Sequence, residues 1–134
     1  MLKLKVISPE KTVLSADCRS VTLPTSEGQI TVYPRHAPIY TLIVAGEVVA
    51  RTATGDVSLG VGSGFANITN SGITLLANFG VLTDEIDESR AEQAKARAEE
   101  LIKNRSNEQE MALASLELSR SLLELKLKGK RRSG

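Results

Sequence analysis

The sequence of 134 residues is poor in the side chains that most catalytic and metal chemistry needs. Its one cysteine, Cys18, excludes an internal disulfide and any multi-cysteine metal site, and is expected to sit buried as a small hydrophobe in a reducing compartment. Its one histidine, His36, is too few for a usual zinc ligand set and makes a poor basis for a serine triad, which needs a histidine oriented by a buried acid. Tryptophan is absent, and the aromatic side chains are Tyr33, Tyr40, Phe65 and Phe79, too few for a surface that stacks nucleic-acid bases. No apolar run approaches the roughly 18 residues of a membrane-spanning helix. The charged, alternating start "MLKLKVISPE" lacks the apolar core of a secretory signal. There is no Gly-Lys-Ser/Thr loop, and the glycines of "GVGSGF" fall between strand-like segments rather than ahead of a helix, so no phosphate cradle is expected there. The enzyme reading is correspondingly weak.

What is present divides into two parts with different periods. Leu2, Leu4 and Val6 alternate with Lys3 and Lys5, as in a strand with one buried face. Segments rich in β-branched residues follow at Val21–Leu23, Ile30–Val32, Ile39–Val44, Val48–Ala50, Val57–Val61, Phe65–Ile68 and Ile73–Ala77. Turn signals separate them: Ser8-Pro9, Glu27-Gly28, Ala45-Gly46, Thr54-Gly55-Asp56 and Asn70-Ser71-Gly72. Short strands at this spacing predict a β-sandwich, or flattened barrel, of antiparallel strands.

After Asp84 glycine and proline vanish until Gly129, and the apolar period becomes helical. The first helix is expected to open on Asp87 as N-cap and to carry Ala91, Ala94, Ala98 and Leu101 on one face. "NRSN" breaks it. Ser106 with Gln109 then reads as a capping box, and Met111, Ala114, Leu118, Leu122 and Leu125 stripe a second helix. The fold class is therefore α+β, with a sandwich over residues 1–84 followed by a two-helix hairpin over 85–134. Alanine buries little area, so the hairpin is expected to be marginal on its own.

The net charge of +1 hides an asymmetry. Basic and acidic residues balance at 6 and 6 over residues 1–84, stand at 6 and 10 over 85–125, and at 5 and 0 over 126–134. The tail "KLKGKRR" reads either as a solvated helix end whose cations complement the macrodipole or as a contact for an acidic protein, with nucleic acid well behind. His36 lies between Pro34 and Ala37-Pro38, which favours an extended, rigid loop and a structural or contact role over that of a general base. Two rival classes remain: a free-standing ligand-binding sandwich, and a small hydrolase using His36.

Taken in order, "LPTSEGQITVYPRHAP", "GEV", "GSGFANI", "ITLLAN" and "IDESRAEQAKARAE" resemble the epsilon subunits of rotary F-type ATP synthases over nearly the whole chain, in their bacterial or plastid form. The resemblance implies a non-catalytic subunit of the central stalk. Its sandwich would contact the gamma subunit and the c-ring loops, with Ser8, Gln29, Arg35 and His36 as interface residues by position. Its helices would reach toward the alpha/beta catalytic head and restrain ATP hydrolysis, with Arg120, Lys126, Lys128, Lys130 and Arg131 meeting an acidic segment of beta. It implies no cofactor and no metal, but weak regulatory ATP binding through Ile86, Asp87, Arg90 and Ala91, with Arg97 and Arg120 nearby; the alternative for "IDESRA" is simply a capped helix start. Association with the membrane would come only through the complex, on the cytoplasmic face of a bacterial inner membrane or the stromal face of a thylakoid. The sequence departs from the family at Gln29, where an acidic residue is frequent, and at Thr31, Arg35 and Ser63, where glycine is. It departs again at Val81 and Glu124, where ATP-binding members carry glutamate and arginine.

Overall fold

The computed structural model describes residues 1–104 and 107–133, the last three of these by backbone alone. Two compact units result, Met1–Asp84 and Glu85–Gly134. The first contains ten strands: β1 (Leu2–Ile7), β2 (Thr12–Cys18), β3 (Ser20–Thr25), β4 (Gly28–Val32), β5 (Ile39–Ile43), β6 (Gly46–Thr52), β7 (Gly55–Val61), β8 (Gly64–Ile68), β9 (Gly72–Ala77) and β10 (Gly80–Leu82). A short 3-10 turn, Thr83–Glu85, follows.

The strands form one sheet in the order β10-β7-β6-β3-β5-β8-β9-β1-β2, with β4 paired to β3. The far edges return toward each other, β2 packing near β6 and β10, so the sheet rolls into a nearly closed, flattened barrel. The alternation of β1 fixes its orientation: Leu2, Leu4 and Val6 are buried and Lys3 and Lys5 exposed. Those three join Val21, Leu23, Val48, Leu59, Ile68 and Leu75 in a single core.

Strand β2 had no counterpart in the sequence reading because its inward side chains past Leu14 are the small Ala16 and Cys18 and its burial is mostly partial, and β10 had none because three residues are too few to display a period. The pairs are antiparallel with one exception: β1 runs parallel to β9, Leu4 opposite Ile73. A period of two shows which face a strand buries and is silent about the direction of its neighbour.

The second unit contains α1 (Glu88–Lys103) and α2 (Glu108–Ser133). Asp87 caps α1 as its sequence predicts, its Oδ1 accepting from the Arg90 N–H at 3.2 Å. The expected capping box at Ser106 lies outside the described residues; Asn107 Oδ1 accepts from the Glu110 N–H at 2.8 Å and caps α2. Going forward seven residues on α1, from Arg90 to Arg97, the charge partner on α2 goes back seven, from Glu124 to Glu117, so the helices are antiparallel. Buried small residues recur at the same spacing, Ala91 and Ala98 on α1, Ala114 and Ser121 on α2. The expected α2 stripe is corrected at one position: Leu122 is about half exposed, and Ser121 takes the buried place beside it. Close approach of two backbones selects the smaller side chain.

Candidate functional site

Alternation in β5, β8 and β9 leaves one set of side chains outside the core; Asn67 and Thr74 are polar members of it, but at the Leu42 end of the strands the set is apolar. Leu42 of β5 stands opposite Phe65 of β8, and Phe65 opposite Leu76 of β9. They form a straight row across three neighbouring strands, with Leu42 51%, Phe65 43% and Leu76 50% exposed. Tyr40, two residues before Leu42 and on the same face, stacks on Phe65 with ring centroids 5.5 Å apart, and Val44 is exposed beyond Leu42. Tyr33 is exposed as well, so three of the four aromatic side chains face solvent and only Phe79 is buried. Single exposed apolar residues are ordinary, whereas a contiguous row held in register marks a surface that another molecule covers.

The sheet can present this row because of a close approach at Gly64: a Cβ there would collide with the Leu76 carbonyl oxygen, so glycine is what lets β8 pair with β9 at that end. Sequence reasoning assigned these segments to the core and missed their outer face. The signal was present in "IYTLIV", which is apolar at both parities, a pattern that requires cover on both faces of the strand.

Of the residues singled out for the gamma and c-ring contacts, Gln29, Arg35 and His36 lie along β4 and the loop that follows it. Gln29 is exposed in β4, opposite Pro24. Arg35 has φ of 67°, the left-handed region, and its N–H donates to the Asn70 carbonyl at 3.2 Å. The ring Nδ1 of His36 is 2.6 Å from the Ala37 carbonyl, donating to it in the Nδ1-protonated tautomer, while Nε2 remains on the half-buried side chain. Ser8 is separate from this stretch and mostly buried; its N–H and hydroxyl both donate to the Lys11 carbonyl, at 2.9 and 3.2 Å, closing the β1–β2 turn.

In the hairpin the motif residues serve the helices themselves. Ile86 and Ala91 are buried and Asp87 is the cap. Arg97 pairs with Glu117 at 3.5 Å and Arg120 with Glu124 at 3.7 Å. Burial raises the Glu124 carboxyl above its ordinary pKa, and Arg120 and, more weakly, Arg90 pull it back down. Arg97 therefore faces Glu117, while Arg90 and Arg120 share Glu124, so two carboxylates offset most of the positive charge of three arginines along the seam and compete with any phosphate for them. Lys126 and Lys130 are exposed one turn apart on α2 and Lys128 is half-buried; the side chain of Arg131 lies outside the described residues. Among the described residues no three His, Cys, Asp or Glu side chains converge as metal ligands, and no helix is long and apolar enough to cross a membrane.

Residues 1–82 match the family described as "ATP synthase, Delta/Epsilon chain, beta-sandwich domain", and residues 84–129 match "ATP synthase, Delta/Epsilon chain, long alpha-helix domain". The chain is 31% identical to the ATP synthase epsilon chain of Herpetosiphon aurantiacus, covering 98% of this chain and 97% of that one. It is 34% identical to the epsilon chain of Dehalococcoides mccartyi, covering 98% and 94%. Among solved structures it resembles a chain in the Euglena gracilis mitochondrial ATP synthase OSCP/F1/c-ring assembly, with a TM-score of 0.67 at 18% identity, covering 90% of this chain and 78% of that one. A chain of the Tetrahymena thermophila central stalk/c-ring assembly aligns with a TM-score of 0.52 at 14% identity, covering 63% and 69%.

Proposed function

The chain belongs to the ATP synthase delta/epsilon family as an epsilon chain, a non-catalytic subunit of the central stalk, and from that premise we propose that its two units divide the work of coupling and control. The sandwich is the gripping part. Its apolar row of Tyr40, Leu42, Phe65 and Leu76 is the observation that carries this reading, because a rotor subunit under torque needs a contact that does not slide, and a packed row does not depend on salt. Covering the exposed half of a Leu or Phe side chain contributes about 1 kcal/mol, so the row supplies several kcal/mol to a partner of matching shape. The proposed occupant is the gamma subunit. The stretch with Gln29, Arg35 and His36 is placed toward gamma and the c-ring loops, with Ser8 shaping a neighbouring turn, and the printed names of the two structural neighbours, assemblies with a c-ring, support that placement.

The hairpin is the controlling part. Its seam of small residues and ion pairs holds little apolar area, so the two helices are easily remodelled, and Lys126, Lys128, Lys130 and Arg131 offer positive charge to an acidic segment of the catalytic head. Extended toward that head, the helices restrain ATP hydrolysis while leaving synthesis coupled. The complex holds the chain on the cytoplasmic face of a bacterial inner membrane, or on the equivalent stromal face of a plastid. Co-purification tests the grip. Wild-type chain should retain gamma, whereas Leu42→Ser with Phe65→Ser should lose it while keeping its circular dichroism spectrum; retention by the folded double variant would move the grip off this face.

A further inference from the structure

Strand β10 is three residues long and pairs with β7 alone, yet it is the last strand before a helical unit of fifty residues. A ladder so short should fray whenever the helices move. A side-chain chain reinforces it. Thr83 opens the 3-10 turn directly after the last ladder pair, Leu82–Leu59, and its hydroxyl meets that of Ser58, the residue before Leu59. Ser58 lies opposite Val49 of β6, on the same face as Glu47. The Ser58 hydroxyl donates to Glu47 Oε2 at 2.6 Å and lies 2.7 Å from Thr83 Oγ1. A hydroxyl has one proton, and that of Ser58 goes to Glu47 Oε2. The direction is therefore fixed: Thr83 donates to Ser58 and Ser58 to Glu47. Thr83 is 2% exposed, so a hydroxyl that lost its partner there would not be rescued by bulk water.

We infer that Thr83, Ser58 and Glu47 form a clasp across β10, β7 and β6 that fastens the end of the sandwich, so that rearrangement of the helices stops at residue 84 and does not unravel the barrel. The clasp rests on the reading of the helices as a moving part, but its mechanical role is measurable without the rest of the complex. Hydrogen exchange on the isolated full-length chain is the experiment. Ser58→Ala and Thr83→Val should each speed exchange of the amides of residues 80–86 about tenfold, while those of β1, β8 and β9 keep their wild-type protection. Glu47→Gln keeps an acceptor oxygen and Thr83→Ser keeps the donor, so both should stay within about twofold of wild type, whereas Glu47→Ala should behave like Ser58→Ala. Thr69→Val removes a hydroxyl that organises a turn elsewhere and should leave residues 80–86 unchanged. Unchanged exchange at 80–86 in both Ser58→Ala and Thr83→Val would overturn the clasp, as would acceleration spread evenly over the sandwich. If instead the clasp variants behave as expected but removing the helices leaves hydrolysis by the assembled enzyme unchanged, the clasp stands and the regulatory reading falls.

Discussion

At the scale of single residues, Arg35 carries a conformational cost. A non-glycine residue at φ near 67° is held there at about 1–2 kcal/mol. Arg35→Gly should raise the stability of the chain by up to about 1 kcal/mol in a urea titration, the gain being limited by the extra freedom of glycine in the unfolded chain. Glu124 is the hairpin's electrostatic weak point. Its folded pKa is raised chiefly by burial, so the folded hairpin binds its proton more tightly than the unfolded chain does. The contribution of Glu124 is therefore fully present below the unfolded value, near 4.5, and is lost as pH rises through the higher folded value. Helicity followed against pH should show wild type losing stability across that window relative to Glu124→Gln, which should be flat there. The same carboxylates bear on nucleotide. Because Glu117 and Glu124 already face the arginines, ATP should bind weakly in calorimetry, and Asp87→Ala or Arg90→Ala should abolish what binding there is. Tight binding surviving both changes would place the nucleotide elsewhere. Asp87 was legible as a cap because capping is local chemistry, readable within four residues. The φ of Arg35 was not, since a loop's torsion depends on Asn70, which anchors it from a distant turn.

At the scale of elements, period separated strands from helices cleanly: β1 alternates, and α1 repeats alanine at helical spacing. Local period also mis-set one helix face, because Leu122 satisfies an apolar stripe as well as Ser121 satisfies a close seam, and only packing chooses between them. The outer row of β5, β8 and β9 was hidden for a related reason, an apolar residue in a strand giving no sign of whether its own chain or another covers it. Residues 1–84 contain the whole sandwich core, so a truncation ending at Asp84 should fold, bind gamma and sustain proton-coupled synthesis, while hydrolysis by the reconstituted enzyme rises. Neutralising Lys126, Lys128, Lys130, Arg131 and Arg132 together should give part of that rise. The difference should shrink at high salt, because exposed charges are screened beyond about 8–10 Å at physiological ionic strength. Equal hydrolysis by the three reconstituted complexes would remove the regulatory role from the helices.

At the scale of the whole molecule, a rigid sandwich with an apolar outer face is joined to a hairpin held by small residues and ion pairs, a division that suits one part for bearing load and the other for changing state. The single parallel pairing, β1 beside β9, also bears on how the chain comes into being. Lys3 finds its neighbour only at Gly72, so a ribosome adding about 5–20 residues per second presents the first strand roughly 3–14 s before its partner exists. In that interval β1 can pair only with β2, as a two-stranded ribbon that is marginal in water and has both edges bare. The barrel therefore cannot be completed before β9 pairs with both β8 and β1. The nascent chain is most vulnerable to aggregation just before that step, and a stall placed upstream of residue 72 should leave it sensitive to protease from its first strand onward.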